Sequence, residues 1–247
     1  MGSNILECEY FNNKQMQCEF ENRQQNELSC LYLNIRSLVN NFDSLNHFLA
    51  SFKVKPDIIA LAETKLTEKV NLNANVDIDG YCFEHRKSKT HFGGVGLYIS
   101  NQIDYSLRED LDLTEKGCDS ESLFIDINTR SKKKHVIGIV YRHPQQNFQN
   151  EFEKVLQKLN DKRTSFKILG DINIDYLRAS KTKSIEKFTD MIYSSGAHMP
   201  IKKPTRVPIH TEKCCVGRNN LNNKKKKIGK RKNSEKGLSL TIYTQII

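Results

Sequence analysis

No stretch of this 247-residue chain approaches the apolar length that a membrane-spanning helix needs. Its start, MGSNILECEYFNN, has no apolar core of the kind a secretory leader carries, and Leu6 stands where a myristoylation motif wants Ser or Thr. These absences predict a soluble intracellular protein with no membrane partner. The seven cysteines (Cys8, Cys18, Cys30, Cys82, Cys118, Cys214, Cys215) are odd in number and scattered, with no C-x-x-C pair. That excludes a zinc ribbon and argues against a disulfide framework, so reduced thiols are expected. GGVG (93–96) lacks the Lys-Ser/Thr of a phosphate loop and leads into a strand-like run, which predicts close backbone packing instead. His85, His91, His143 and His210 show no metal-ligand spacing and are expected on the surface or in loops. No internal repeat is present.

Excess positive charge is largely confined to one place. The net charge is +10, but Lys224, Lys225, Lys226, Lys227, Lys230, Arg231 and Lys232 supply seven positive charges without an acid among them, leaving +3 for the rest. The run predicts a solvated tail, with nuclear targeting or loose nucleic-acid contact as its functional alternative.

Residues 1–27 are rich in Asn, Gln and Glu without a clear period, which predicts a flexible lead-in. Order is expected from Leu28. LSCLYLNI (28–35) is a short apolar run, and Leu38, Phe42, Leu45, Leu49 and Phe52 follow at helical spacing, ending before Pro56. DIIALAET, GYCFEHR, GGVGLYIS, SLFIDINT and KKKHVIGIVYRHP predict further strands. Phe148, Phe152, Val155, Leu156 and Leu159 mark a second amphipathic helix; FKILGDINI is another strand; and Ile185, Phe188, Met191 and Ile192 mark a third helix capped by Gly196. Residues 208–237 are Lys/Asn-rich and predict disorder, and 238–247 resume a strand-like run. Helices among many short strands, without strict alternation, predict an α/β (α+β) sandwich with helices outside.

Several apolar runs end in a residue able to bind a cation or a phosphate: Asn34, Glu63, Tyr141, and Asp171 with Asn173. Strand ends at one edge of a sandwich converge, so these residues could share a pocket on rigid supports. Strand alternation would place Asp171 and Asn173 on one face. Phosphodiester hydrolysis requires such a set: a carboxylate to hold a hard divalent ion, another to orient water, and amide and hydroxyl donors for the phosphate oxygens. Taken singly, each residue has a plainer explanation. Asp-x-Asn after a glycine is commonly a turn, Glu63 fits a solvated strand end, Asn34 fits an N-cap for the next helix, and Tyr141 fits a core aromatic.

In order, LNIRSL (33–38), PDIIALAETKL (56–66), GGVGLYI (93–99), IVYRHP (139–144), ILGDINID (168–175) and KPTRV (203–207) resemble the endonuclease/exonuclease/phosphatase superfamily. Their flavour is closest to the apurinic-type endonuclease domain of non-LTR (LINE-like) retrotransposons. The resemblance covers roughly residues 28–207. It implies a four-layered α/β sandwich that cleaves phosphodiesters with Mg2+, or with Mn2+ as an alternative. It puts Asn34 and Glu63 at the metal, Tyr141 at the scissile phosphate, Asp171 at the attacking water and Asn173 on a phosphate oxygen. DNA is the implied partner and the nucleus or nucleo-cytoplasm the implied location; no obligate protein partner is inferred.

The C-terminal Ser-Asp-His triplet of that superfamily has no counterpart after KPTRV, where 208–237 and the strand-like 238–247 depart from the pattern. The departure predicts an incomplete sandwich and impaired catalysis. A catalytically inactive remnant that binds nucleic acid through Lys224–Lys232 is therefore the alternative. A phosphatase or phosphodiesterase acting on inositol phosphates or sphingomyelin is a third reading within the superfamily.

Overall fold

A computed structural model describes residues 6–23, 27–67, 75–88, 92–114, 120–128, 134–144, 148–161, 164–174, 183–199, 214–219 and 242–246. The chain opens with β1 (Leu6–Phe11), α1 (Asn13–Glu21), β2 (Ser29–Asn34), α2 (Leu38–Ala50) and β3 (Ile58–Ala62). It continues through β4 (Tyr81–Arg86), β5 (Val95–Ser100), β6 (Tyr105–Leu107), a 3₁₀ turn (Glu109–Leu111), β7 (Ser120–Asn128) and β8 (Lys134–Arg142). It closes with α3 (Gln149–Asp161), β9 (Ser165–Asp171), α4 (Lys183–Ser194), β10 (Cys214–Asn219) and β11 (Ile242–Ile246).

Two sheets stack face to face. One has the strand order β1-β10-β11-β2-β3-β5-β4 and the other β6-β7-β8-β9. The near-continuous apolar runs of the central strands follow from having both faces covered. Along β2, Leu31 and Leu33 face α1 and α2, while Cys30 and Tyr32 face the second sheet. Along β8, Ile137, Ile139 and Tyr141 face the first sheet, while Val136 and Val140 meet α3 and α4. The result is a helix–sheet–sheet–helix sandwich, the α/β architecture expected from the sequence.

The helices form where their apolar spacing allows. In α2, Leu38, Leu45 and Leu49 are buried, each worth roughly 1.5–3 kcal/mol relative to exposure. Ser37 is its N-cap, its hydroxyl accepting from the Asn40 N–H. Gly196, at φ +74°, ends α4 with backbone bonds from Gly196 to Tyr193 and from Ala197 to Ile192.

Two expectations are corrected. The N-terminal segment is not a flexible lead-in over its described part: β1 joins the large sheet, and α1 buries Met16 and Phe20 in the core. Its polar composition hid a helix started by a reciprocal cap, in which the Asn12 side chain accepts from the Gln15 N–H and the Gln15 side chain from the Asn12 N–H. Part of the Lys/Asn-rich segment is also ordered. β10 lies between β1 and β11, pairing antiparallel with the first and parallel with the second. β11 itself pairs antiparallel with β2. The basic residues Lys224–Lys227 and Lys230–Lys232, and His210, lie outside the described residues. Among the described residues Cys18, Cys30 and Cys82 are free thiols, and no helix is long and apolar enough to cross a membrane.

Candidate active site

Each sheet contains a parallel strand pair joined through a described helix, β2-α2-β3 in one and β8-α3-β9 in the other. The last register partners are Asn34 with Ala62 in the first pair and Tyr141 with Asp171 in the second. Both pairs therefore release their carboxyl ends together. Because β9 also packs across the sandwich against β2 and β3, the two sets of ends meet.

The meeting is direct. Asn34 Nδ2 donates to Glu63 Oε1 at 2.7 Å and reaches Asp171 Oδ2 at 3.5 Å. Asn34 is 7% exposed, and its Oδ1 is buried with no hydrogen-bond partner among the described residues. Asn34 is thus not the N-cap of α2, a place taken by Ser37; its amide faces the carboxylates instead.

Glu63 follows β3 in the left-handed region, at φ +54°, a conformation costing a non-glycine residue about 1–2 kcal/mol. Its surroundings hold it there. The Ser37 N–H donates to the Glu63 carbonyl at 2.8 Å, Thr64 N–H to Gly94 O at 3.1 Å, and Lys65 N–H to Gly93 O at 2.9 Å. The main chain that carries the carboxylate is thereby held from the loop after β2 and the loop before β5.

Asp171 and Asn173 come together by a turn, and not by strand alternation as the sequence suggested. β9 ends at Asp171, whose Oδ1 accepts from the Asn173 N–H at 2.9 Å, while Asn173 sits at φ +49°. Asp and Asn suit these two positions because one caps its own chain two residues on and the other tolerates the left-handed region. Asn173 Nδ2 donates to Arg142 O at 2.6 Å, and the Arg142 guanidinium returns bonds to the carbonyls of Ile172 and Asn173. Gly170, at φ +141°, allows the approach of β9 to β8, since a Cβ there would lie 1.8 Å from Val140 O.

Tyr141 is 3% exposed. Burial pushes its phenol up to about 12, reinforced by the negative charges of Glu63, Asp171 and Glu121 and opposed by a hydrogen bond with the Asn173 side chain. The group is a neutral hydrogen-bond donor near pH 7.

Two residues escaped the sequence reading. His143 lies just past the end of β8, in the loop position expected, but it is buried, with Nε2 3.1 Å from Glu121 Oε1 and its ring at right angles to Tyr141 at 5.0 Å. Glu121 is itself fully buried and faces Tyr141 in the β7·β8 register. A carboxylate second in the run SESLFIDI, paired with the residue that opens YRHP, is the signal that could have found them. The close packing expected of GGVG is present: a Cβ on Gly93 would stand 2.6 Å from the Glu121 carboxylate. Among the described residues no cluster of three or more His, Cys, Asp or Glu is arranged to hold a metal.

Residues 29–202 match the profile described as Endonuclease/Exonuclease/phosphatase family. The chain belongs to that family. Solved structures similar to it include the AP endonuclease LMAP from Leishmania major, at 20% identity and TM-score 0.48, over 64% of this chain and 60% of that one. The 3'-5' exonuclease NExo from Neisseria meningitidis is 16% identical with TM-score 0.48, over 68% and 71% of the two chains. The endonuclease domain of TRAS1, a telomere-specific non-LTR retrotransposon, is 10% identical with TM-score 0.46, over 70% and 75%. The chain thus spans less than two thirds of the length of the Leishmania enzyme it matches. Among curated protein sequences, none matches this one.

Proposed function

We propose that this chain is a metal-dependent phosphodiester hydrolase acting on DNA, of the retrotransposon endonuclease kind. The observation that carries the reading is the convergence of Asn34, Glu63 and Asp171 from three strands onto one hydrogen-bonded cluster beside a neutral, buried Tyr141.

The donor set suits a hard divalent ion. Asn34 Oδ1 is a buried carbonyl oxygen without a protein partner among the described residues, and it belongs to the same side chain that binds the Glu63 carboxylate. An amide oxygen beside a carboxylate is oxygen-only chemistry, appropriate to Mg2+ and also to Mn2+. Bound there, the ion would neutralise charge on the phosphate.

The remaining residues divide the work. Asp171 uses Oδ1 to fix the turn and presents Oδ2 to Asn34, a placement suited to orienting water and accepting its proton. Tyr141 carries its proton near pH 7 and donates to a phosphate oxygen. Asn173 donates to Arg142 O and bonds the Tyr141 phenol, which sets its amide beside the place the phosphate would take. Oriented donors in a partly dry site stabilise developing negative charge without reorganising.

The test is nicking of supercoiled plasmid by the full chain in Mg2+, set beside release of inorganic phosphate from small phosphomonoesters. Nicking that chelation abolishes supports the reading. Phosphate release without nicking would replace it with a phosphatase.

A further inference from the structure

Glu121 occupies an expensive position. A carboxylate removed from water between two sheets costs several kcal/mol unless its surroundings compensate, and packing alone would be served more cheaply by leucine. Its contacts join parts of the site that belong to different sheets. On one side, Oε1 meets His143 Nε2 at 3.1 Å, and the imidazole stands edge-on to the Tyr141 ring, 5.0 Å away at 87°. On the other side, the carboxylate presses on Gly93 so closely that no Cβ would fit, with the Ser88 hydroxyl donating to it at 3.5 Å. Gly93 and Gly94 in turn accept the backbone N–H groups of Lys65 and Thr64, the two residues after Glu63.

We propose that Glu121 and His143 are positioning residues that lock the Tyr141 phenol in one sheet to the loop carrying Glu63 in the other. Glu121 accepts the imidazole N–H, the imidazole packs at right angles to the phenol ring, and the same carboxylate packs on Gly93 of the glycine pair that binds the Glu63 loop. This inference rests on the phosphodiesterase reading for its functional consequence, but its geometry can be tested separately.

The experiment compares Glu121→Gln, Glu121→Leu, His143→Phe and the Leu/Phe double variant in the full chain. A glutamine carbonyl still accepts from the imidazole, so Glu121→Gln should recover most of the wild-type kcat. Glu121→Leu and His143→Phe should each lower kcat about tenfold or more, because small misplacement of a reacting group is costly, while KM for plasmid stays constant. The double variant should lose no more than the worse single one, since the pair acts as a unit. In parallel, the 13C-tyrosine NMR signal of Tyr141, identified by its disappearance in Tyr141→Phe, should move in the Leu and Phe variants and return in Glu121→Gln. Unchanged kcat with an unmoved Tyr141 signal overturns the proposal, as does an equal loss in Glu121→Gln. If the wild-type chain does not nick DNA, the functional reading fails. The NMR comparison then decides the positioning role alone: a moved signal upholds it and an unmoved one overturns it.

Discussion

Asn34 and Glu63, side chains from neighbouring parallel strands, share a 2.7 Å hydrogen bond that leaves the Asn34 carbonyl oxygen buried and facing no protein donor among the described residues. The proposed cation would take its ligands from these two side chains, which the bond holds in place. Replacing Asn34 with Ala removes a ligand and frees the Glu63 carboxylate, so the Mg2+ concentration for half-maximal nicking should rise by about 10–100-fold, the usual effect of losing a residue that orients a metal ligand. Titration of nicking rate against Mg2+ checks this. An unchanged midpoint would remove Asn34 from the metal.

The Asp171-Asn173 turn depends on Gly170, where a Cβ would meet Val140 O at 1.8 Å and φ is +141°. Gly170→Ala must push β9 from β8 as well as strain its own backbone. A loss of at least about 3 kcal/mol is expected, read as a lower urea midpoint with the slope unchanged.

How much of this was legible beforehand depended on whether a signal was local. The strands were readable because both faces of β2, β3, β7 and β8 are covered, which leaves unbroken apolar runs. Asn34, Glu63, Tyr141, Asp171 and Asn173 stood out because each follows such a run. The pair Glu121 and His143 did not, since their contact spans a β7·β8 register that neither residue reveals alone. Asp171 and Asn173 adjoin through a turn and not through strand alternation, because β9 ends at Asp171.

Helix α1 was missed because its apolar residues are few, yet Met16 and Phe20 are among the most buried side chains, and Phe20 packs edge-on against Phe52 at 5.4 Å. Phe20→Ala should therefore cost about 3–5 kcal/mol. Thermal unfolding of that variant is the check, and a melting temperature equal to wild type would return the segment to the flexible role.

Lys167 lies in β9 beside Ile137 of β8. Burial lowers its ammonium from the ordinary 10.5 to about 8, with Cys30 acting in the opposite direction. The folded chain then binds this proton more weakly than the unfolded one, so the penalty is full below about pH 8 and disappears as pH rises toward 10.5. Lys167→Met should raise stability at pH 7 by on the order of 1–3 kcal/mol and flatten the rise in stability across that window. Denaturant titrations at pH 7 and pH 9.5 measure both effects, and an identical pH slope in the variant would contradict them.

Asp171 is where the two halves of the site join, through Asn34 on one side and Asn173 on the other. The most direct test of the account is single-turnover nicking of supercoiled plasmid by wild type and Asp171→Ala at saturating Mg2+. Measurable nicking by the wild type that falls by about 10²-fold or more in the variant is the predicted result. Equal nicking by the two proteins would contradict the assignment of this cluster as the active site.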